Sequence, residues 1–214
     1  MYLPFIGYLL SNANERELAP IHLISFLTQR LIFIAIYEKW ENVTVSDAAQ
    51  RINVTKMSVS RCFDEIEYLN IDILGMKGKS RVITIPTDIQ KLWNDMQGVL
   101  RTPVIARYEL SEDIKLEKKG GISALCEYSL LSDNEYPTYA ITKREIAESG
   151  IKRMRLVHPG EEIGCVVLEL GYFVDFKNKS LEDPMSVALS LSEIERQDER
   201  INISVGAMLK EYVW

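Results

Sequence analysis

The stretch from Thr44 to Leu69, TVSDAAQRINVTKMSVSRCFDEIEYL, constrains the fold of this chain more than any other part. Thr44 followed three residues later by Asp47 is a pattern that begins a helix, and Thr55 can begin a second one. Apolar residues recur at helical spacing along the second helix, and they are Val59, Cys62, Phe63, Ile66 and Leu69. The stretch therefore predicts two helices joined by a tight turn, the second with one buried side.

The opposite side of the second helix is polar and cationic near its start. It carries Lys56, Met57, Ser60 and Arg61. A helix with a buried rear face and a cationic N-terminal half suits the major groove of DNA. The pattern therefore makes this helix a candidate for contact with bases.

A short hairpin with a basic tip is predicted after the second helix. Asn70 can take the left-handed conformation that ends a helix, and residues 71–76 and 81–85 have the composition of two strands. The turn between the strands and its flank carry three cations, which are Lys77, Lys79 and Arg81. Cations around a glycine at a loop tip can contact phosphates or enter a minor groove.

Helix, turn, helix and basic hairpin, in this order, resemble the winged helix-turn-helix of MarR-type bacterial regulators over about residues 21–100. In that family the second helix contacts bases, and the wing contacts the DNA backbone or the minor groove. The resemblance implies DNA-binding residues on helix 55–69 and wing 77–81, namely Thr55, Lys56, Met57, Ser58, Ser60, Arg61, Lys77, Lys79 and Arg81. A winged helix used only for protein contacts remains the alternative.

The charge is unevenly distributed along the chain. The net charge of the 214 residues is −6, which is unusual for a protein that binds nucleic acid. Residues 1–100 carry 10 Lys and Arg against 11 Asp and Glu, and residues 101–214 carry 15 against 20. A nearly neutral first half favours a localised contact with double-stranded DNA, doubled in a homodimer, over indiscriminate electrostatic binding.

The chain is long enough for two small domains, and Pro103 marks a plausible boundary. We predict an α+β protein with a winged helix-turn-helix domain at 1–102 and a smaller α+β domain at 103–214. In the first domain, residues 1–20 are expected to form a short strand or helix, and Ile21–Trp40 a buried helix. Thr87 and Gln90 are expected to cap the helix that connects the two domains.

The second half alternates short helices and strands, including a predicted hairpin of residues 154–157 and 163–173 around Pro159-Gly160. Its segment Gly120–Thr142, GGISALCEYSLLSDNEYPTYAIT, resembles the second domain of abortive-infection-type antitoxins. In that family an N-terminal winged helix represses its own operon, and the partner gene encodes a nucleotidyltransferase-like toxin. The resemblance implies a toxin-like protein partner for the C-terminal half. An unrelated dimerisation or effector domain is the alternative.

Enzymatic and metal-binding patterns are weak. The three cysteines, Cys62, Cys126 and Cys165, are far apart and suggest neither a zinc cluster nor disulfides, as in a reducing cytoplasm. The two histidines are His22 and His158, and the acids beside His158 have the character of a solvated turn. Phosphate-loop and nucleophile-elbow motifs are absent from the sequence. We therefore expect no enzyme activity, no cofactor and no metal.

The sequence predicts a cytoplasmic protein with no membrane association, because its apolar runs are too short to cross a bilayer. The predicted function is a sequence-specific transcriptional regulator, a repressor that occludes polymerase when a dimer occupies successive major grooves. The competing hypothesis is an antitoxin that acts through a protein partner and regulates its own operon.

Overall fold

The computed structural model describes residues 23–132, 135–158 and 160–214. Over these residues the chain forms nine α-helices and two three-stranded sheets, so the predicted α+β class is confirmed. Residues 1–20, for which a short strand or helix is predicted, lie outside the described residues, as does His22. In the described part of the chain, no helix combines the length and the apolar character that a bilayer crossing requires.

The first half places a small sheet beside four helices. Its elements in order are α1 (Phe26–Tyr37), β1 (Val43–Thr44), α2 (Val45–Arg51), α3 (Lys56–Tyr68), β2 (Leu74–Lys77), β3 (Ser80–Ile83) and α4 (Ile89–Met96). The strand order is β1-β3-β2, and both pairings are antiparallel. The β2–β3 hairpin therefore lies at one side of the sheet, with α3 directly before it in the chain.

Local capping signals explain where α2 and α3 begin and end. Thr44 and Asp47 form the predicted capping box at the start of α2. The hydroxyl of Thr55 accepts a hydrogen bond from the backbone N–H of Ser58, as predicted for α3. Asn70 has a φ of +54° just after α3, which confirms the predicted left-handed stop.

Two helices begin later than predicted. Helix α1 starts at Phe26, because Ser25 caps it and both the N–H and the hydroxyl of Ser25 donate to the carboxylate of Glu65 on α3. The predicted capping pair of Thr87 and Gln90 is wrong. The carboxylate of Asp88 accepts from the N–H of Lys91 instead, so α4 begins at Ile89.

The second half surrounds a sheet of order β4-β6-β5. Its elements are β4 (Val104–Leu110), α5 (Gly121–Tyr128), β5 (Thr138–Thr142), α6 (Lys143–Ser149), a 3₁₀ turn (Ile151–Arg153), β6 (Cys165–Leu170), α7 (Pro184–Ser190), α8 (Glu193–Gln197) and α9 (Glu199–Tyr212). Strand β6 runs antiparallel to β4 and parallel to β5. All six residues of β6 are buried, as expected for a central strand.

The predicted hairpin of residues 154–157 and 163–173 is wrong. Leu156 bridges to Leu110 at the end of β4, and the N–H of Val157 donates to the carbonyl of Glu109 at 3.0 Å. The buried run of β6 requires a neighbour on each side, and β4 and β5 fill both positions. The segment after Met154 therefore contacts the end of β4 instead of β6.

One hydrophobic core contains side chains from both halves of the chain. The ring of Phe33 on α1 lies 6.1 Å from that of Trp93 and 6.2 Å from that of Tyr172. The buried amide of Gln29 donates to the carbonyl of Arg101 at 2.9 Å and accepts from its N–H at 3.0 Å. Helix α1 thus contacts residues that precede and residues that follow the predicted domain boundary at 102/103. That boundary stays a prediction.

Candidate nucleic-acid interface

Helix α3 has one buried side and one exposed side. Val59, Cys62, Phe63 and Ile66 are buried, as their spacing predicts, and Leu69 is half-buried. The rear of the helix packs on α1 and α2, where Ala48 and Ala49 are also buried. Packing on that side fixes which residues of α3 face outward.

The outward side of α3 is cationic at its first turns. Lys56, Met57 and Arg61 are exposed, with 66% of the surface of Met57 accessible to solvent. Neither Lys56 nor Arg61 has an ion-pair partner among the described residues. Both cations and the thioether are therefore available to a ligand.

Two of the predicted contact residues have a structural role at the start of α3. The Thr55 hydroxyl caps the helix, and it lies 2.9 Å from the Ser58 hydroxyl. These groups satisfy the first turn of the helix. They position Lys56 and Met57, and both hydroxyls already take part in hydrogen bonds within this turn.

The hairpin carries two more cations at its tip. Gly78 has a φ of +64° in the turn, a conformation that side chains other than Asn or Asp rarely adopt. Lys77 and Lys79 flank it, and both are exposed without an ion-pair partner in the described part of the chain. We call Lys56, Arg61, Lys77 and Lys79 together the cationic surface.

Arg81 joins the hairpin to α3. Its guanidinium lies 2.6 Å from the Asp64 carboxylate and 3.5 Å from that of Glu67, and it donates to the Ser60 hydroxyl at 3.2 Å. It also lies 5.7 Å from the ring centroid of Phe63. The predicted residues Ser60 and Arg81 are thus bonded to each other, and Arg61 and Lys79 lie next to this contact in the chain.

The acids of α3 limit the cationic surface to the start of the helix. Asp64 and Glu67 are exposed and face Arg81. Glu65 points the other way, toward Ser25 and Thr28 on α1. The third and fourth turns of α3 therefore present negative charge, which Arg81 partly balances.

The other candidate sites of the sequence show no assembled chemistry. The described part of the chain holds no group of three or more His, Cys, Asp or Glu that could bind a metal. The three cysteines form no disulfide with one another, and burial raises the pKa of the Cys62 and Cys165 thiols. The ammonium of Lys119 pairs with Glu127, and that of Lys118 lies 4.1 Å from the ring centroid of Phe173.

Sequence analysis missed a buried acidic pair in the second half. Glu182 and Asp183 are each about 1% exposed and lie directly before α7. Burial raises the pKa of Glu182 to about 7, and burial also raises the pKa of Asp183. In the sequence, the Asp183-Pro184 dipeptide indicates the start of a helix. No local pattern indicates that both acids are buried.

The cationic surface provides the geometric basis for a function. It consists of four exposed cations on α3 and on the hairpin, two elements that contact each other through Ser60 and Arg81. No protein-family model matches the chain, and neither does any curated protein or solved structure.

Proposed function

We propose that residues 26–83 act as a winged helix-turn-helix and that the chain is a sequence-specific, double-stranded DNA-binding transcriptional regulator. The order of α1, β1, α2, α3 and the β2–β3 hairpin supports this proposal, as does the pairing of β1 with β3. In this assignment α3 is the reading helix and the hairpin is the wing.

The single observation that carries the proposal is the cationic surface. Its four cations are exposed and lack ion-pair partners in the described residues, whereas the nearby Arg81 is paired twice. Unpaired cations at the start of an outward-facing helix and on an adjoining loop suit a groove and its flanking phosphates. Arg153 and Lys210 are also exposed cations without ion-pair partners in the described residues, so it is the position of the four cations on α3 and the hairpin that supports the proposal.

Each part of the surface has a distinct role in the proposed complex. Arg61 can donate two hydrogen bonds to a guanine edge, and Met57 can contact a thymine methyl group. Lys56 lies at the first position of α3, close to where a phosphate would approach the helix N-terminus. Lys77 and Lys79 contact backbone phosphates or the minor groove.

Four cations per chain give only a modest affinity for DNA. The first half is nearly neutral overall, so a single copy gains little from non-specific attraction. A homodimer doubles the contacts and places two α3 helices in major grooves about one helical turn apart. Repression then follows because the bound dimer occludes polymerase.

An electrophoretic mobility shift with duplex DNA from upstream of the chain's own gene tests the proposal. We expect sequence-selective binding that survives excess competitor DNA and falls about a hundredfold in the Lys56→Ala/Arg61→Ala variant, since charge-assisted bonds contribute about 1.5–3 kcal/mol each. The matched control is Arg153→Ala/Lys210→Ala, which removes two exposed cations that have no ion-pair partner among the described residues. Equal binding by both variants would contradict the assignment of α3.

Arg81 has a different role from the other cations of the hairpin. Because Asp64 and Glu67 already balance its charge, it holds the hairpin against α3 and adds little to phosphate contact. We expect Lys79→Met to reduce the salt dependence of DNA binding by about one unit of slope. Arg81→Met should lower affinity several-fold while changing that slope far less. Equal changes of slope in the two variants would instead make Arg81 a phosphate contact.

A second candidate function is an antitoxin that acts through a protein partner. Ile194 on α8 is 82% exposed and Ile203 on α9 is 65% exposed, and in this candidate both side chains belong to the surface that the partner covers. Co-expression with the neighbouring gene product tests this candidate. Three results together would favour the antitoxin over the regulator. The two proteins form a stable complex, the complex is lost in Ile194→Asp/Ile203→Asp, and the chain does not shift its upstream DNA.

A further inference from the structure

Glu182 and Asp183 lie where the two halves of the chain meet. The carboxylate of Asp183 accepts from the hydroxyl of Tyr37 on α1 at 2.7 Å. The carboxyl of Glu182 accepts from the N–H of Gly121 at the start of α5 at 2.8 Å, and it contacts the hydroxyl of Ser190 at the end of α7. These two side chains therefore connect α7 with α5 and with α1.

The hydrogen bonds of Asp183 suit an ionised carboxylate. Tyr37 Oη accepts from the N–H of Met185 at 2.9 Å, so its own hydrogen is directed at Asp183 Oδ1. The N–H of Ser186 donates to the same oxygen at 3.1 Å. Donors of this kind stabilise the charged form.

The hydrogen bonds of Glu182 suit a neutral acid. The Ser190 hydroxyl has one hydrogen but lies within bonding distance of two acceptors, the Glu182 carboxyl and the carbonyl of Ser186, the latter at 2.9 Å. If the hydrogen of Ser190 goes to Ser186, a hydrogen bond between Ser190 and Glu182 requires a proton on the carboxyl. A protonated Glu182 donates to Ser190 Oγ and still accepts from Gly121, so every group is satisfied.

We propose that Glu182 is held as a neutral carboxylic acid in the folded protein, and that its ionisation loosens the contact of α7 with α5 and α1. The junction of the two halves is then a pH-responsive joint. Its protonated state is closed, and its ionised state places two adjacent negative charges inside the protein.

The surroundings of Glu182 support this assignment. Burial is the largest cause that raises its pKa to about 7, the Asp183 charge adds to it, and hydrogen bonds from Ser190 and Gly121 together with the Lys118 charge oppose it. Three tyrosines among the described residues also face the joint, and burial raises the pKa of each: Tyr37, Tyr128 and Tyr172. They therefore stay neutral across the range in which Glu182 titrates.

The sign of the pH effect follows from linkage. The pKa of Glu182 rises from 4.5 to about 7 on folding, so between these values the folded state binds more protons than the unfolded state. Its contribution to stability is complete below about pH 4.5 and falls as pH rises toward 7. A single group changes the unfolding equilibrium by at most about tenfold per pH unit.

The variant Glu182→Gln isolates this group. The amide can donate to Ser190 Oγ and accept from Gly121, so it reproduces the neutral acid without a titrating proton. We expect urea unfolding to show that the stability of the variant, relative to that of the full-length wild type, rises between pH 4.5 and pH 8. The exposed control Glu162→Gln should keep the wild-type pH profile.

Two measurements on the wild type keep the test independent of how the variant folds. In heavy water, the infrared band of a protonated carboxylic acid should be present at pH 6 and lost at pH 9. In the wild type, the amide protons of Gly121 and Met185 should lose protection from exchange between pH 6 and pH 9, after correction for the intrinsic pH dependence of exchange, because the joint has loosened. A wild type without that band, or a variant whose stability keeps the wild-type pH profile, would overturn the proposal.

Discussion

Reversing the charge of both Arg61 and Lys79 is expected to lower the affinity for duplex DNA by at least about a hundredfold. The two side chains are exposed on different elements, so the change removes one proposed base contact and one proposed phosphate contact. Each charge-assisted bond contributes about 1.5–3 kcal/mol, and a new negative charge beside the duplex adds repulsion. Fluorescence anisotropy with a labelled operator at several salt concentrations measures both the affinity and its salt dependence.

The control for this double variant is Arg153→Glu/Lys210→Glu, which changes the net charge by the same amount. Both control residues are exposed and belong to the second half of the chain. We expect the control to retain most of the affinity, because non-specific attraction to the whole chain is weak at a net charge of −6. If both double variants bind DNA as the wild type does, α3 and the hairpin do not contact it.

Replacing Phe33 by Ala is expected to lower the free energy of unfolding by about 3–5 kcal/mol. Phe33 is fully buried, and its ring lies between those of Trp93 and Tyr172, one from each half of the chain. We therefore expect both halves to unfold in the same transition, at a lower urea concentration than in the wild type. Tryptophan fluorescence and far-ultraviolet circular dichroism should give coincident curves.

Two further variants show how specific this result is. Phe33→Leu fills most of the cavity and should cost clearly less than Phe33→Ala. Leu130 is fully exposed, so Leu130→Ala should change stability by no more than about 0.5 kcal/mol. Two separate transitions, of which only one moves in Phe33→Ala, would show that the halves fold as independent units.

Features that depend on a few neighbouring residues could be predicted from the sequence. The caps at Thr44 and Thr55 and the left-handed stop at Asn70 are set by local hydrogen bonding and backbone sterics. The buried side of α3 follows from a helical period that needs no knowledge of its partners. The exposure of Lys56 and Arg61 then follows, since they lie opposite that side.

Features that depend on residues far apart in the chain could not be predicted. Arg81 bonds to Asp64 and Glu67, which lie 17 and 14 residues away in the chain. The residues next to Arg81 in the sequence therefore suggest an unpaired cation, whereas the structure shows an ion-paired one. The turn signal at Pro159-Gly160 is local, and it predicts a hairpin that includes Leu156. The contact of Leu156 with Leu110 joins residues far apart in the chain, so the sequence does not reveal it. The burial of Glu182 depends on α5 and α7 closing over it, which no periodicity reveals.

The bonds between Gln29 and Arg101 limit how the protein could transmit a signal. A linker works as a hinge only if its backbone can rotate, and here the N–H and carbonyl of Arg101 are both bonded to a buried amide in the middle of α1. Bending at this point would break two hydrogen bonds and expose the Gln29 side chain, which is costly in an apolar core. In the proposed dimer, an effector that altered the spacing of the two reading helices would therefore act through the proposed joint at Glu182 or by rotating whole subunits, and not by bending at Arg101.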